Sequence, residues 1–181
     1  LIRGHLEADG RFNINRTWRW GFDAFRATDD TYLRLYEFNG EQVLTSRLYA
    51  EGFRGKNYMS FDSYLFQDLR PGINSEAPTQ ALPILDYNFV GNPSRWGDYW
   101  TLDTNLLNLV REEGVDSRRL SVKGGWHRNF SNIHGHVFNL ASTLRGDIYD
   151  VKQIDGSNLR KNPGRIFPQL SANWRFPLQR K

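Results

Sequence analysis

The 181-residue chain has no cysteine and one methionine. Without cysteine there is no disulfide framework, no thiol catalysis and no cysteine-ligated metal within these residues. That absence leaves the compartment open. Long hydrophobic runs are missing too: the longest clean one is Ala81 to Leu85, far short of the ~20 residues of a membrane helix. Charge of one sign is scarce, with 24 basic against 20 acidic residues and a net charge of +4. So small and scattered an excess is no footprint for nucleic acid. The chain starts at Leu1 with no basic-then-apolar leader, and is read as an excerpt of a longer or processed protein. Aromatic residues, in contrast, make up 14%, which argues against disorder.

The strongest signal is a period of two, the mark of a strand with two different faces. Leu6, Ala8, Gly10, Phe12 and Ile14 alternate with His5, Glu7, Asp9, Arg11 and Asn13. Trp18, Trp20, Phe22 and Ala24 oppose Arg19, Gly21 and Asp23; Leu44, Leu48 and Ala50 oppose Thr45, Arg47 and Glu51. Met59, Phe61 and Leu65 oppose Tyr58, Ser60 and Asp62. The pattern continues with Trp100 to Leu106, Leu120 to Trp126, Phe138 to Leu144 and Ile166 to Phe176. With the ambiguous stretch from Leu82 to Val90, nine strands are predicted, no helix, and no internal domain boundary. The predicted class is all-β.

Turn signals separate the segments at Asn39-Gly40, Arg70-Pro71-Gly72, Gly91-Asn92-Pro93, Asp155-Gly156 and Asn162-Pro163-Gly164. Residues 15–17 make a tight connection, while 28–42, 67–79, 110–118 and 151–164 read as long polar ones. Alternation alone fits a soluble sandwich or an outer-membrane barrel. Three features favour the barrel: segments near the ~9–11 residues of a tilted membrane strand, alternating connection lengths, and aromatics near the ends of the apolar faces. Those aromatics are Trp18, Trp20, Trp126, Trp174 and Phe176. Pro83 and Pro168 fall inside strand-like runs, where proline is confined to edges, strand starts or bulges.

Candidate chemistry is thin. His134 and His136, with His127 nearby, form a possible metal pair, but no Asp or Glu lies within residues 129–141 to complete it. Asp23 with Asp62, or Asp98 with Asp103, are conceivable glycosidase pairs. Mixed-charge lining of a wet face explains these carboxylates better. Asn15-Arg16-Thr17 and Asn129-Phe130-Ser131 match a glycosylation pattern and Arg145-Gly146-Asp147 an adhesion tripeptide, all short enough to arise by chance. The basic and aromatic residues from Arg16 to Arg26 would lie on opposite faces and form no stacking platform. No catalytic, metal, cofactor or substrate-binding residue is assigned.

Longer runs carry a resemblance. GRFNINRTWRWGFDAFRATDDTYLRLYEF (Gly10 to Phe38), ALPILDYNFV (Ala81 to Val90), DSRRLSVKGGW (Asp116 to Trp126), GHVFNLASTLRGDIYDV (Gly135 to Val151) and GRIFPQLSANWRFPL (Gly164 to Leu178) resemble, in order and spacing, the barrel region of the LptD family. These are LPS-assembly outer-membrane proteins, once called organic-solvent-tolerance proteins. The resemblance covers nearly the whole chain. It implies an antiparallel transmembrane β-barrel segment, about nine strands of a larger barrel, with residues 1–181 part of a C-terminal barrel domain in the Gram-negative outer membrane. It implies no enzyme activity and no cofactor. The implied partners are lipopolysaccharide, outer-membrane lipid, an LptE-like plug lipoprotein and a periplasmic jelly-roll bridge protein (LptA-like), with no nucleic acid. The lipid would leave sideways between the first and last strands of the intact barrel, driven by ATP hydrolysis at the inner membrane. Gate residues do not carry over onto this stretch, and Pro83 and Pro168 are not equated with gate prolines.

The other readings are a general porin or uptake barrel and a soluble all-β carbohydrate-binding domain. For a barrel wall, Arg11, Arg19, Asp23, Arg47, Asp103, Lys123 and Arg145 would face a hydrated lumen. Trp20→Arg or Leu140→Arg is then predicted to impair membrane assembly, and Arg19→Ala to be mild.

Overall fold

A computed structural model describes residues 3–36, 38, 41–70, 80–110, 115–153, 160–161 and 163–178. The expected turns at Asn39-Gly40, Pro71-Gly72, Asp155-Gly156 and Asn162 lie outside the described residues. Nine long strands run β1 (His5–Asn13), β2 (Trp18–Ala27), β3 (Val43–Arg54), β4 (Asn57–Asp68), β5 (Gln80–Val90), β6 (Asp98–Val110), β7 (Val115–Ser131), β8 (Val137–Gln153) and β10 (Gly164–Arg175). A two-residue strand, β9 (Arg160–Lys161), pairs with β8. The strands form one antiparallel sheet in chain order, with β1 and β10 at its edges. The predicted class and strand number hold, and no second sheet packs against this one among the described residues. The single helix among the described residues, α1 (Tyr32–Leu35), is one turn long, too short for a helical repeat to show in the sequence.

The register aligns the alternating faces across the sheet. Phe12 stands opposite Trp20, Trp20 opposite Ala50, Ala50 opposite Phe61 and Phe61 opposite Leu85. Leu85 continues to Leu106, Leu106 to Leu120, Leu120 to Ile148. One side of the sheet is therefore apolar from edge to edge.

Tight connections at one end include Gly55-Lys56, where Gly55 takes φ 62°, the left-handed conformation a two-residue hairpin demands. At the β1–β2 turn the Asn15 side-chain oxygen accepts from the Thr17 and Trp18 amides, 2.8 and 2.9 Å. Its carboxamide is thus a turn-forming group. The opposite end carries the longer connections, with one correction. Residues 110–118 were expected to form a long loop, but β6 reaches Val110 and β7 starts at Val115, leaving only 111–114 between them. Of the expected loop's polar residues, Asp116, Ser117 and Arg118 belong to the start of β7.

Both prolines sit where the missing donor is tolerated. Pro168 lies in the edge strand β10, opposite Leu144. Pro83 lies where β5 shifts register against both β4 and β6. Asn108 donates its side-chain amide to the Leu82 carbonyl there, replacing part of the broken ladder. The shift also explains why residues 82–90 read ambiguously. Ala81 pairs with Tyr64 and Ile84 with Asp62, so the alternation changes phase at the bulge.

Ala27, Leu33, Leu44 and Leu69 form a small buried cluster at the loop end, flanked by Phe25 and Tyr32. Gln67 secures it by accepting from the Ala27 amide (3.0 Å) and donating to the Ala27 carbonyl (2.8 Å). Gln67→Leu would leave both buried backbone groups unpaired, an expected loss of about 1–3 kcal/mol. Urea titration of the whole protein refolded in vesicles would measure it.

Candidate functional site: the polar face of the sheet

The two sides of the sheet differ in a way opposite to a soluble protein. Leu144 and Leu170 on the apolar side are 56% and 83% exposed, whereas Asp62 and Asp147 on the polar side are 8% and 3% exposed. Large apolar side chains splay outward while polar ones crowd together, as on the inside of a curved sheet. Such an arrangement fits a sheet whose outward side meets hydrocarbon. Among the described residues no second sheet covers these side chains, which favours the barrel wall over the sandwich.

Polar-side residues pair across neighbouring strands. Arg19 on β2 donates to Glu51 on β3 at 2.5 Å, and the Tyr58 hydroxyl on β4 donates to the same carboxylate at 3.1 Å. Arg47 on β3 binds Asp62 on β4 at 2.5 Å and lies over the Tyr49 ring at 4.4 Å. Further along, Asn105 donates to Asp86 (2.6 Å), Asn88 to Asp103 (2.9 Å) and Arg119 to Asn105 (2.7 Å). Arg145 reaches its strand neighbour Asp147 at 3.0 Å. Asp86, Asn88, Asp103, Asn105, Arg119 and Arg145 line an open hollow of about 230 Å³ together with Ser121 and Lys123. Lys123 stands opposite Asp103 and Arg145 in register, and donates no hydrogen bond among the described residues. The hollow is polar and of mixed sign, suited to phosphorylated or hydroxylated groups in transit.

Arg19 is exposed and its pair with Glu51 is screened by water, so Arg19→Ala is expected to leave the urea midpoint of the refolded protein unchanged. A clear drop in the midpoint would contradict this placement.

The structure separates most of the candidate clusters. Asp23 and Asp62 share the polar side, but Arg47 stands opposite Asp23 and binds Asp62, so the pair forms no acid–base couple. Asp98 and Asp103 differ by an odd number of residues along β6 and point to opposite sides. Arg145 and Asp147 bind each other within β8, which removes the adhesion tripeptide from any loop. Phe130 of the second glycosylation triplet lies inside β7, stacked on Phe138 at 5.0 Å.

The histidines also part. His127 lies beside Thr101 at 3.1 Å on the polar side. His136 accepts from the Trp174 indole at 3.1 Å and stacks on Phe176 at 4.6 Å, while the His134 and His136 amides cap Asn132. Among the described residues no group of three potential ligands converges. Sequence reasoning did not single out Asn88, Asn105, Arg119 or Ser121. They join the hollow because register brings β5 to β8 together, which alternation within one strand cannot reveal.

Comparison with protein families adds what geometry leaves open. The family model "LPS transport system D" matches residues 2–181. The chain belongs to the LptD family. Its role lies in lipopolysaccharide transport at the outer membrane, as a transport component with a β-barrel fold. The antiparallel sheet, apolar on one side and charged on the other, is a partial wall of such a barrel. Curated proteins gave no match to the chain.

Proposed function

We propose that these residues are part of the wall of a C-terminal outer-membrane barrel domain that moves lipopolysaccharide from the periplasm to the outer leaflet. The observation that carries the reading is the inverted burial of the sheet, exposed leucines on one side and covered, paired charges on the other. Together with the family match over residues 2–181, it supports a reading in which the apolar side meets membrane hydrocarbon and the polar side a wet lumen. Ion pairs of alternating sign give a phosphorylated sugar headgroup many weak contacts and no single tight one. That surface suits passage better than retention, and it needs no covalent step. An LptE-like lipoprotein would plug the lumen, and an LptA-like jelly-roll bridge would deliver the lipid.

The test is depletion of the whole protein in its own cell while newly made lipopolysaccharide is followed to the surface. Arrest of delivery before general envelope damage is the expected result. Normal delivery would overturn the reading and leave a porin or uptake barrel.

A further inference from the structure

The apolar side of β7 is bracketed by two arginines that the protein treats differently. Arg118 and Arg128 both share a side with Leu120, Val122 and Trp126, and lie ten residues apart. At ~3.3 Å per residue that separation is about 33 Å along the strand. A tilt of ~40° turns it into about 25 Å of height, the thickness of a barrel's apolar band. The two guanidinium groups therefore stand at the two surfaces of the membrane.

At the loop end Arg118 is satisfied within the protein, donating from Nε to Asn108 at 3.2 Å. Arg128, at the turn end, is not. Its Nε is buried without a hydrogen-bond partner, and it donates no hydrogen bond and joins no salt bridge among the described residues. Asp98 stands opposite it in register and accepts from Ser94; its carboxylate is near enough to act on Arg128 electrostatically, but takes no hydrogen bond from it. Arg128 instead lies over the Phe130 ring at 5.5 Å, amid a rim of aromatic side chains. A guanidinium is an acceptorless fork of five donors that fits phosphate oxygens in pairs.

We propose that Arg128 is the phosphate-binding residue of a phospholipid site on the turn-side rim of the apolar face. The lipid phosphate would sit on the outward N–H groups of Arg128, with its chains running along Leu140 and Leu144. Phe130 and Trp126 would flank the headgroup. At the loop-side rim Arg118 differs in that its Nε already donates to Asn108. The proposal rests on the apolar face meeting lipid.

The whole protein would be reconstituted into bilayers carrying a photoactivatable phosphatidylglycerol, or a matched diacylglycerol without phosphate, and crosslinks mapped by mass spectrometry. Phosphatidylglycerol is expected to label residues near Arg128 several-fold more than diacylglycerol does. Arg128→Gln should remove that preference, Arg128→Lys should keep part of it, and Arg118→Gln should leave it intact. Heat-modifiable migration checks folding, and the lysine variant serves if the glutamine variant does not fold. Equal labelling by the two lipids, or a preference that survives Arg128→Gln, would overturn the proposal. Equal labelling by the two lipids, with inorganic phosphate alone protecting Arg128 from an arginine-modifying reagent, would assign the residue to a soluble anion and overturn the lipid site. Absence of any labelling at Leu144 would overturn the membrane-facing reading itself.

Discussion

Arginine in place of Leu144 is expected to destabilise the refolded barrel by about 2–4 kcal/mol, the cost of a cation at the bilayer midplane. Leu144 is 56% exposed on the apolar side, between Gly124 and Pro168. That rung, at Gly124, lies within one residue of the midpoint between Arg118 and Arg128. Leu140 is on the rung of Arg128 itself. An arginine there sits at headgroup depth, where the cost falls to about 0–1 kcal/mol. Trp20, stacked on Phe12 at 4.7 Å near the start of β2, also lies toward the turn end. The register thus moves the most damaging position from Trp20 or Leu140 to Leu144. Urea titration of the whole protein in phospholipid vesicles gives the ranking. Equal losses at positions 140 and 144 would contradict the depth assignment.

Valine at Gly21 is the second large effect. A Cβ there would fall 2.6 Å from the Gly10 backbone carbonyl and 2.5 Å from the Tyr49 hydroxyl. The tyrosine can swing away, but the carbonyl belongs to the β1–β2 ladder, where Gly21 pairs with Arg11. Relief requires the two strands to part, so the expected cost is at the upper end of the ~1–3 kcal/mol of overpacking, or beyond it. Heat-modifiable migration and urea titration should both reveal it. Unchanged stability would mean that the close approach of Gly21 to β1 is not needed.

Alternation within a strand is local information, and it correctly divided residues such as Arg19 and Trp20, or Lys123 and Val122, between the two sides. Register is not local. It decides that Arg47 lies against Asp62, that Asn105 bridges Asp86 and Arg119, and that Leu140 shares a rung with Arg128. None of these follows from the spacing of residues along one strand. The bulge at Pro83 was legible only as a misplaced proline, since its effect is a change of phase between three strands. The Gln67 clamp on Ala27 joins residues forty positions apart through one side chain, and no pattern announces it.

The aromatic side chains of the apolar face are unevenly placed. Phe12, Trp18, Trp100, Phe130, Phe138 and Trp174 all lie toward the turn end, while Leu65, Leu106, Leu120 and Ile148 fill the loop half. Indole and phenyl rings favour the boundary between chains and headgroups, and aliphatic groups have no such preference. Among the described residues of the apolar face, the rings therefore gather at the turn-end surface. In a bilayer a few ångströms thicker or thinner, the ring-rich turn rim resists displacement more than the aliphatic loop half does. The height at which the loops stand above the membrane then varies with lipid thickness.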